Sequence, residues 1–441
     1  MRFTKYLFTF VITACAGLAK AQQSNLFTLQ QCLDIAIKNN LTVKQTGNTV
    51  LADSIAYKQT RENLFPSISG SAGRSLNQGR AINPITNTYI NQSLTSDSYS
   101  LNAGVTIFNG LALQNNIKQA SLSYQAGKMD LQAAKDAVTL NIITGYFNIL
   151  EAEESLAQSK SALAVAQETL NRLEIREKQG SNTLASDIYD SRGTFASNQV
   201  QVVQAQNLLY GAKLSLFQSM NIPYNKDAEF QHLNAADLVG AYGVNPDQIY
   251  ETALQQLPVV KSAILKRQSA EKVVKVDKGL LFPTLSFNGG LNTYYSSASQ
   301  NVAYFDQFRN NYQSGLGLNL SIPIFSNHQR KNTIALAKIT LLNTQYIEEN
   351  TKVVLRQNIE QAYYNMSAAY NRYQALSAEV NAYTESFRIS KIRFEAGVLT
   401  SVDYTISKNN MDAASLSLIN ARYDYFIYSK VLDYYQGKLS F

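Results

Sequence analysis

NLFPSISGSAGRSL, residues 63–76, returns as LLFPTLSFNGGLNT, residues 280–293. In both copies Leu-Phe-Pro closes a helix-like stretch, because proline has no N–H to continue a helix and restricts the residue before it. Alternation with period two follows. In the first copy Ile68, Ala72 and Leu76 oppose Ser67, Ser69, Ser71 and Gly73; in the second Leu285, Phe287 and Leu291 oppose Ser286, Asn288 and Asn292. Each segment reads as a strand with one apolar and one polar face.

One offset of 217 residues, as from Leu64 to Leu281, relates the two halves. It carries Leu101-Asn102 to Leu318-Asn319, Ile107-Phe108 to Ile324-Phe325, Asn141-Ile142 to Asn358-Ile359, and Gly180 and Thr183 to Gly397 and Thr400. The register holds from Ala36/Ala253 onward, so the fold is a duplicated unit. Each unit opens with helical segments broken near Asn39-Asn40 and Leu257-Pro258, then forms a hairpin. The second hairpin strands place Tyr99, Leu101, Ala103, Val105 and Ile107, and Leu316, Leu318, Leu320, Ile322 and Ile324, on one parity. Polar loops of residues 77–97 and 296–311 join the hairpins.

Very long helices follow. No proline lies between Pro84 and Pro223 or after Pro323, and residues 327–396 contain no glycine. Ile359, Tyr363, Met366, Tyr370, Tyr373, Leu376, Val380, Tyr383 and Phe387 recur in three- and four-residue steps. About 70 residues at 1.5 Å each span roughly 105 Å, far beyond an ordinary globular domain. Expected boundaries are a first repeat at 22–220, with strands at about 66–76 and 98–108 and helices at about 110–179 and 184–220. A connector covers 221–245. The second repeat covers 246–436, with strands at about 283–295 and 312–325 and helices at about 327–396 and 400–436, before a tail at 437–441.

The N-terminus has Arg2 and Lys5, an apolar run from Tyr6 to Leu18 and then Ala19-Lys20-Ala21, the layout of a cleavable secretory signal over residues 1–21. Cleavage would leave Gln22 first. Ile12-Thr13-Ala14-Cys15 also fits a lipobox, which would leave an acylated Cys15 instead. Cleavage at Gln22 leaves Cys32 as the only cysteine, so no intrachain disulfide forms. The net charge of +7 is scattered rather than gathered, which excludes a nucleic-acid footprint. Catalysis finds little support: His232 and His328 are the only histidines, and Glu151, Glu153 and Glu154 read as a solvated helix face. No cofactor or metal site is expected.

Beyond the signal no apolar stretch reaches the ~20 residues of a transmembrane helix, so any crossing is made by strands, which need about 9–11 residues each. Open strand edges are forbidden in hydrocarbon, and four strands cannot close a barrel alone. Two chains would give eight strands and a filled interior. Three would give twelve and a lumen, which the small Ser, Gly, Asn and Thr of the polar faces leave open.

The duplicated helix, hairpin and long-helix plan, the Leu-Phe-Pro ends and the Gly-centred helical turns resemble the TolC-type outer-membrane efflux protein family, over about Leu26 to Tyr435. The resemblance implies a mainly α fold with a membrane β-barrel portion. It implies a homotrimer with a 12-stranded barrel set in outer-membrane lipid and a periplasmic α-helical barrel. Such ducts are not enzymes. They are fed by a periplasmic adaptor and an inner-membrane RND or ABC-type transporter. A type I protein-secretion duct is the rival within the class, and a periplasmic coiled-coil or adhesin protein the rival outside it.

In this family the helical turn lies at the periplasmic tip, where the adaptor docks and the aperture closes. The positions matching it are Gly180 and Thr183, and Gly397, Val398, Leu399 and Thr400. Asp403 follows Gly397 by six residues, as in the family, whereas Asp187 follows Gly180 one residue later than expected. Three copies of Asp403 would form an acidic ring favouring cations; equally, Asp403 would support the first turn of the returning helix. Where some members hold the tip closed with a Tyr and an Arg, this chain has Phe394 and Leu399. Closure would then fall to hydrophobic contact at Phe394 or charge repulsion at Asp403.

Overall fold

A computed structural model describes residues 26–82, 86–91, 93–180, 185–232, 242–299 and 301–438. The expected signal segment 1–21 with its Cys15, the Gln22 that follows it, Thr183 of the first turn and Phe441 of the tail lie outside the described residues. In order, the elements are β1 (Leu26–Phe27), α1 (Leu29–Asn39), α2 (Leu41–Glu62), β2 (Ser67–Asn77), β3 (Arg80–Ile82), β4 (Tyr89–Asn91), β5 (Leu94–Asn109), α3 (Ala112–Lys178) and α4 (Ala185–Ser219). There follow β6 (Glu229–Phe230), α5 (Pro246–Gln256), α6 (Pro258–Gly279), β7 (Thr284–Ser296), α7 (Tyr304–Asn310), β8 (Gln313–Ser321), α8 (Gln329–Glu395) and α9 (Ser401–Tyr435). No described helix is long and apolar enough to cross a membrane.

The chain divides into two compact units, one of Gly47–Asp130 with Pro258–Thr351, the other of Met1–Thr46, Leu131–Leu257 and Lys352–Phe441. In the first, β2, β5, β7 and β8 form an antiparallel sheet in that order. β5 begins at Leu94, so strand replaces part of the first expected loop, and β3 pairs with β4 in a further hairpin within it. Thr106 pairs with Ser286 and Phe108 with Leu285, which leaves Ile107 as a bulge. The strict alternation slips there: Phe108, not Ile107, stands beside Leu285 on the apolar face. β8 stops at Ser321, short of the apolar alternation that runs on to Ile324, because Pro323 offers no N–H to a ladder.

The other unit is organised around the short α1. Thr28 caps it, accepting from Gln31 N while the Gln31 side chain accepts from Thr28 N, a reciprocal capping box. Its buried Cys32, Leu33 and Ala36 pack with Tyr146, Phe147 and Leu150 of α3, Leu216 and Phe217 of α4, and Tyr423 and Phe426 of α9. Tyr146 Oη donates to Gln231 O at 2.8 Å and Phe27 O at 3.1 Å, tying the parallel β1 and β6 to the long helix. Burial pushes the Cys32 thiol up to about 12, so it stays a neutral, inert packing group.

Candidate functional site

Register decides what each sheet face is made of, since directly opposed residues share a face. Gly70, Leu101 and Leu291 are in line, as are Val105, Phe287 and Leu318, and Leu285 with Leu320. Ser71, Ser100 and Asn292 fall in line on the other face, as do Gly104, Asn288 and Gly317. The apolar residues are exposed: Ile68, Leu101, Leu291, Leu316, Leu318 and Leu320 all project from the sheet. The polar face knits itself together, with the hydroxyls of Ser71 and Ser100 at 2.7 Å and those of Ser75 and Ser96 at 2.7 Å. An apolar sheet face left bare is unstable in water and stable against lipid. β2 and β8, the outer strands of this sheet, pair on one side only among the described residues.

Two charges sit on the apolar parity, Arg74 and Asp97, opposite one another. Asp97 is 1% exposed and receives Arg74 Nε at 2.6 Å and Nη2 at 2.7 Å. Sequence reading passed over this pair. Its signal was a charge at an apolar position of each neighbouring strand, which demands a partner.

Each sheet strand that leads into a long helix does so through two left-handed residues, Gly110 and Leu111 before α3, and Asn327 and His328 before α8. A Cβ on Gly110 would collide with the Gly279 carbonyl oxygen and lie 2.8 Å from Phe282 Cβ, so only glycine fits. Leu111, Asn327 and His328 hold a conformation costing an L-residue roughly 1–2 kcal/mol each. The same backbone switch in both repeats turns the chain sharply from strand to helix.

At the opposite ends of α3 and α8 the chain turns back at Gly180 and Gly397, both with φ of +74°. Gly397 N donates to Phe394 O at 3.1 Å and Val398 N to Arg393 O at 2.9 Å, the two bonds of a Schellman motif. Both glycines are exposed with nothing near an added Cβ. Val398 projects outward, while Leu399 leans on a cluster of Leu170, Leu173, Ile188, Phe394 and Tyr404. Six residues separate α3 from α4 and five separate α8 from α9, so the extra residue lies in the first turn. Asp187 and Asp403 are therefore each the third residue of a returning helix.

Thr400 caps α9: its Oγ1 accepts from Asp403 N at 3.1 Å and donates to Asp403 Oδ2 at 2.8 Å. The Asp403 carboxylate remains exposed, and Asp187 is half-buried in the first turn of α4. Phe394 is 7% exposed and stacks on Tyr404 with centroids 4.6 Å apart, in a cluster with Leu170, Leu173 and Ile188. Arg172 bridges Glu168 and Glu395 at 2.5 and 2.9 Å across the cluster's edge. Tyr404, which sequence reasoning did not single out, is the centre of this packing; its signal was an aromatic one turn into the returning helix.

Along α3 and α9, Arg422 and Tyr423 both bond the Glu154 carboxylate, the tyrosine at 2.6 Å, so Glu154 is not merely solvated. The neighbouring Glu151 carboxyl is pushed up to about 7, first by burial and then by the Asp424 carboxylate.

The family described as outer membrane efflux protein matches residues 32–221 and 249–436 of this chain. The outer membrane protein TolC of Vibrio cholerae is 22% identical over 386 residues, covering 84% of this chain and 82% of its own length. The outer membrane efflux protein BepC of Brucella suis is 22% identical over 424 residues, covering 94% and 86%. Among solved structures, the Campylobacter jejuni CmeC outer membrane channel superposes with a TM-score of 0.80 at 20% identity, covering 95% of this chain and 86% of that one. The open state of the Neisseria gonorrhoeae MtrE outer membrane channel gives 0.74 at 18% identity, covering 93% and 88%.

Proposed function

Because the chain belongs to the outer membrane efflux protein family, we propose that it is the passive exit duct of a tripartite efflux assembly, fed by a periplasmic adaptor and an inner-membrane RND or ABC-type pump. It is an outer-membrane channel subunit, of a family of ducts rather than a class of enzymes. The observation that carries the reading is the sheet of β2, β5, β7 and β8, lipid-compatible on one face, polar on the other and, among the described residues, open at both edges. Three copies place β8 of one subunit beside β2 of the next, giving twelve strands around a lumen lined by serine, glycine and asparagine.

At the tip, the turns at Gly180, Thr183, Gly397, Val398, Leu399 and Thr400 form the adaptor-docking surface in this proposal. Asp403, with Asp187 at the equivalent helical position, supplies the charge at the aperture. Phe394 acts by packing: it holds α8 to α9 and so fixes where Asp403 points. Extraction only by detergent, as a heat-modifiable trimer, is the expected behaviour; a water-soluble monomer would sink the proposal. A deletion strain scored against dyes, detergents, antibiotics and metals, beside a comparison of its secreted proteins, identifies the cargo class.

A further inference from the structure

The seven residues of α7 lie on the apolar face of the sheet, at its loop end. Everything beneath them, Asp97, Tyr99, Thr293 and Tyr295, shares register parity with Leu101 and Leu291. Tyr304 Oη donates to Asp97 Oδ2 at 3.0 Å and meets Tyr99 Oη at 2.8 Å. Thr293 Oγ1 donates to Phe308 O at 2.6 Å, and Gln307 Oε1 accepts from Ser296 N at 3.0 Å. Asn311 Nδ2 donates to Tyr294 O at 2.8 Å. Tyr304, Gln307 and Asn311 thus turn their polar groups inward, on the sheet, with Arg74 neutralising the Asp97 carboxylate beneath them, while Asp306, Arg309 and Asn310 are exposed.

The exposed residues mix large rings with the charged Asp306 and Arg309. Phe305 is 77% exposed, and Tyr312 and Phe308 are exposed as well. A groove of about 460 Å³, lined by Ala72, Tyr99, Leu101, Leu291, Phe308 and Tyr312, opens below the segment onto the apolar face. Large exposed rings beside charged side chains, over a bare apolar sheet face, match a membrane interface, where amphipathic rings sit at the level of the headgroups. The level is also informative. From Leu285 to Thr293 the strand rises ~26 Å, or ~20 Å along the normal at a tilt of about 40°, against an apolar band about 25 Å tall flanked by aromatic girdles.

We infer that α7 is an interfacial anchor seated in the outer leaflet, with Phe305, Phe308 and Tyr312 among the lipid headgroups and upper acyl chains. The inference rests on the outer-membrane reading. The occupant is lipid because the groove continues the lipid-facing surface. A neighbouring subunit joins at β2 and β8, whereas α7 sits over β5 and β7 in the middle of the sheet.

The chain contains no tryptophan, so each introduced indole reports alone. Phe305→Trp and, separately, Leu318→Trp trimers are reconstituted in phosphatidylcholine vesicles brominated at shallow or at deep acyl positions. The Phe305→Trp indole should lose roughly half its emission to shallow bromines and less to deep ones, because an interfacial aromatic lies ~5–10 Å into the headgroup and acyl boundary. Leu318→Trp should be quenched in both. Quenching of Phe305→Trp by aqueous iodide but not by bromines, with Leu318→Trp still quenched by lipid, overturns the anchor alone. Shielding from both quenchers assigns the segment to a protein contact and also overturns it. Failure of lipid to quench either variant overturns the outer-membrane reading itself. Phe308→Trp serves if Phe305→Trp does not assemble.

Discussion

Phe394→Ala should loosen the helical tip without touching the sheet. The ring is 7% exposed, stacks on Tyr404 and touches the cluster of Leu170, Leu173 and Ile188. Truncating a buried phenylalanine costs about 3–5 kcal/mol in transfer and cavity terms, of which the ring pair accounts for about 0.5–1.5. A site at the end of two helices, held by few side chains, collapses partly, so the lower figure of about 3 kcal/mol applies. At 1.4 kcal/mol per decade, amides of the last turn of α8 and first turns of α9 should exchange roughly a hundredfold faster. Phe394→Leu keeps most of the apolar volume and loses the stack, so about 1 kcal/mol and a roughly fivefold effect follow. Hydrogen exchange read peptide by peptide over residues 385–408 measures this, with β7 as the unaffected control. Single-channel recording of the same variant should show irregular, longer openings. Unchanged tip exchange in Phe394→Ala, with a wider conductance, would refute the argument and make the ring an aperture lining instead.

Asp403→Asn keeps an acceptor for the Thr400 hydroxyl but removes the charge, so cation selectivity in planar bilayers should fall while thermal stability changes by less than about 1 kcal/mol; unaltered selectivity leaves the carboxylate only its cap role. Gly397→Asn tolerates the left-handed turn, so trimers should form while binding of a cognate adaptor is lost; Gly397→Ala adds about 1–2 kcal/mol of backbone strain. Intact export with Gly397→Asn tells against docking there. Glu151, raised to about 7 from 4.5, contributes stability that is complete below the ordinary carboxylate range and is lost as pH rises through about 7. Glu151→Gln should therefore gain about 1–2 kcal/mol at pH 8 relative to its effect at pH 5, measured by denaturant midpoints of the trimer, and a pH-independent difference would count against the burial argument.

Much of the fold was legible because its signals are local. Leu-Phe-Pro stops helices chemically, one-sided strands announce themselves by parity, and glycines at Gly180 and Gly397 mark left-handed turns that L-residues avoid. The bulge at Ile107 was hidden because a pairing slip leaves the apolar composition unchanged. The seven residues of α7 were hidden too: the segment is short, uncapped by any side chain and held by bonds to Asp97 and Tyr99, 207 and 205 residues away in sequence, as well as by one from Thr293.

The duplication, the order of the long helices and of the four sheet strands, and the open edges that call for partner subunits were thus legible in the sequence alone, since periodicity and breakers act within a few residues. Only the tertiary structure decided that Phe394 is buried against Tyr404 and that Arg74 neutralises Asp97 on the apolar face. Those outcomes depend on which side chains meet across a helical turn or a strand pairing, 10 and 23 residues apart in sequence, and no local pattern encodes that contact.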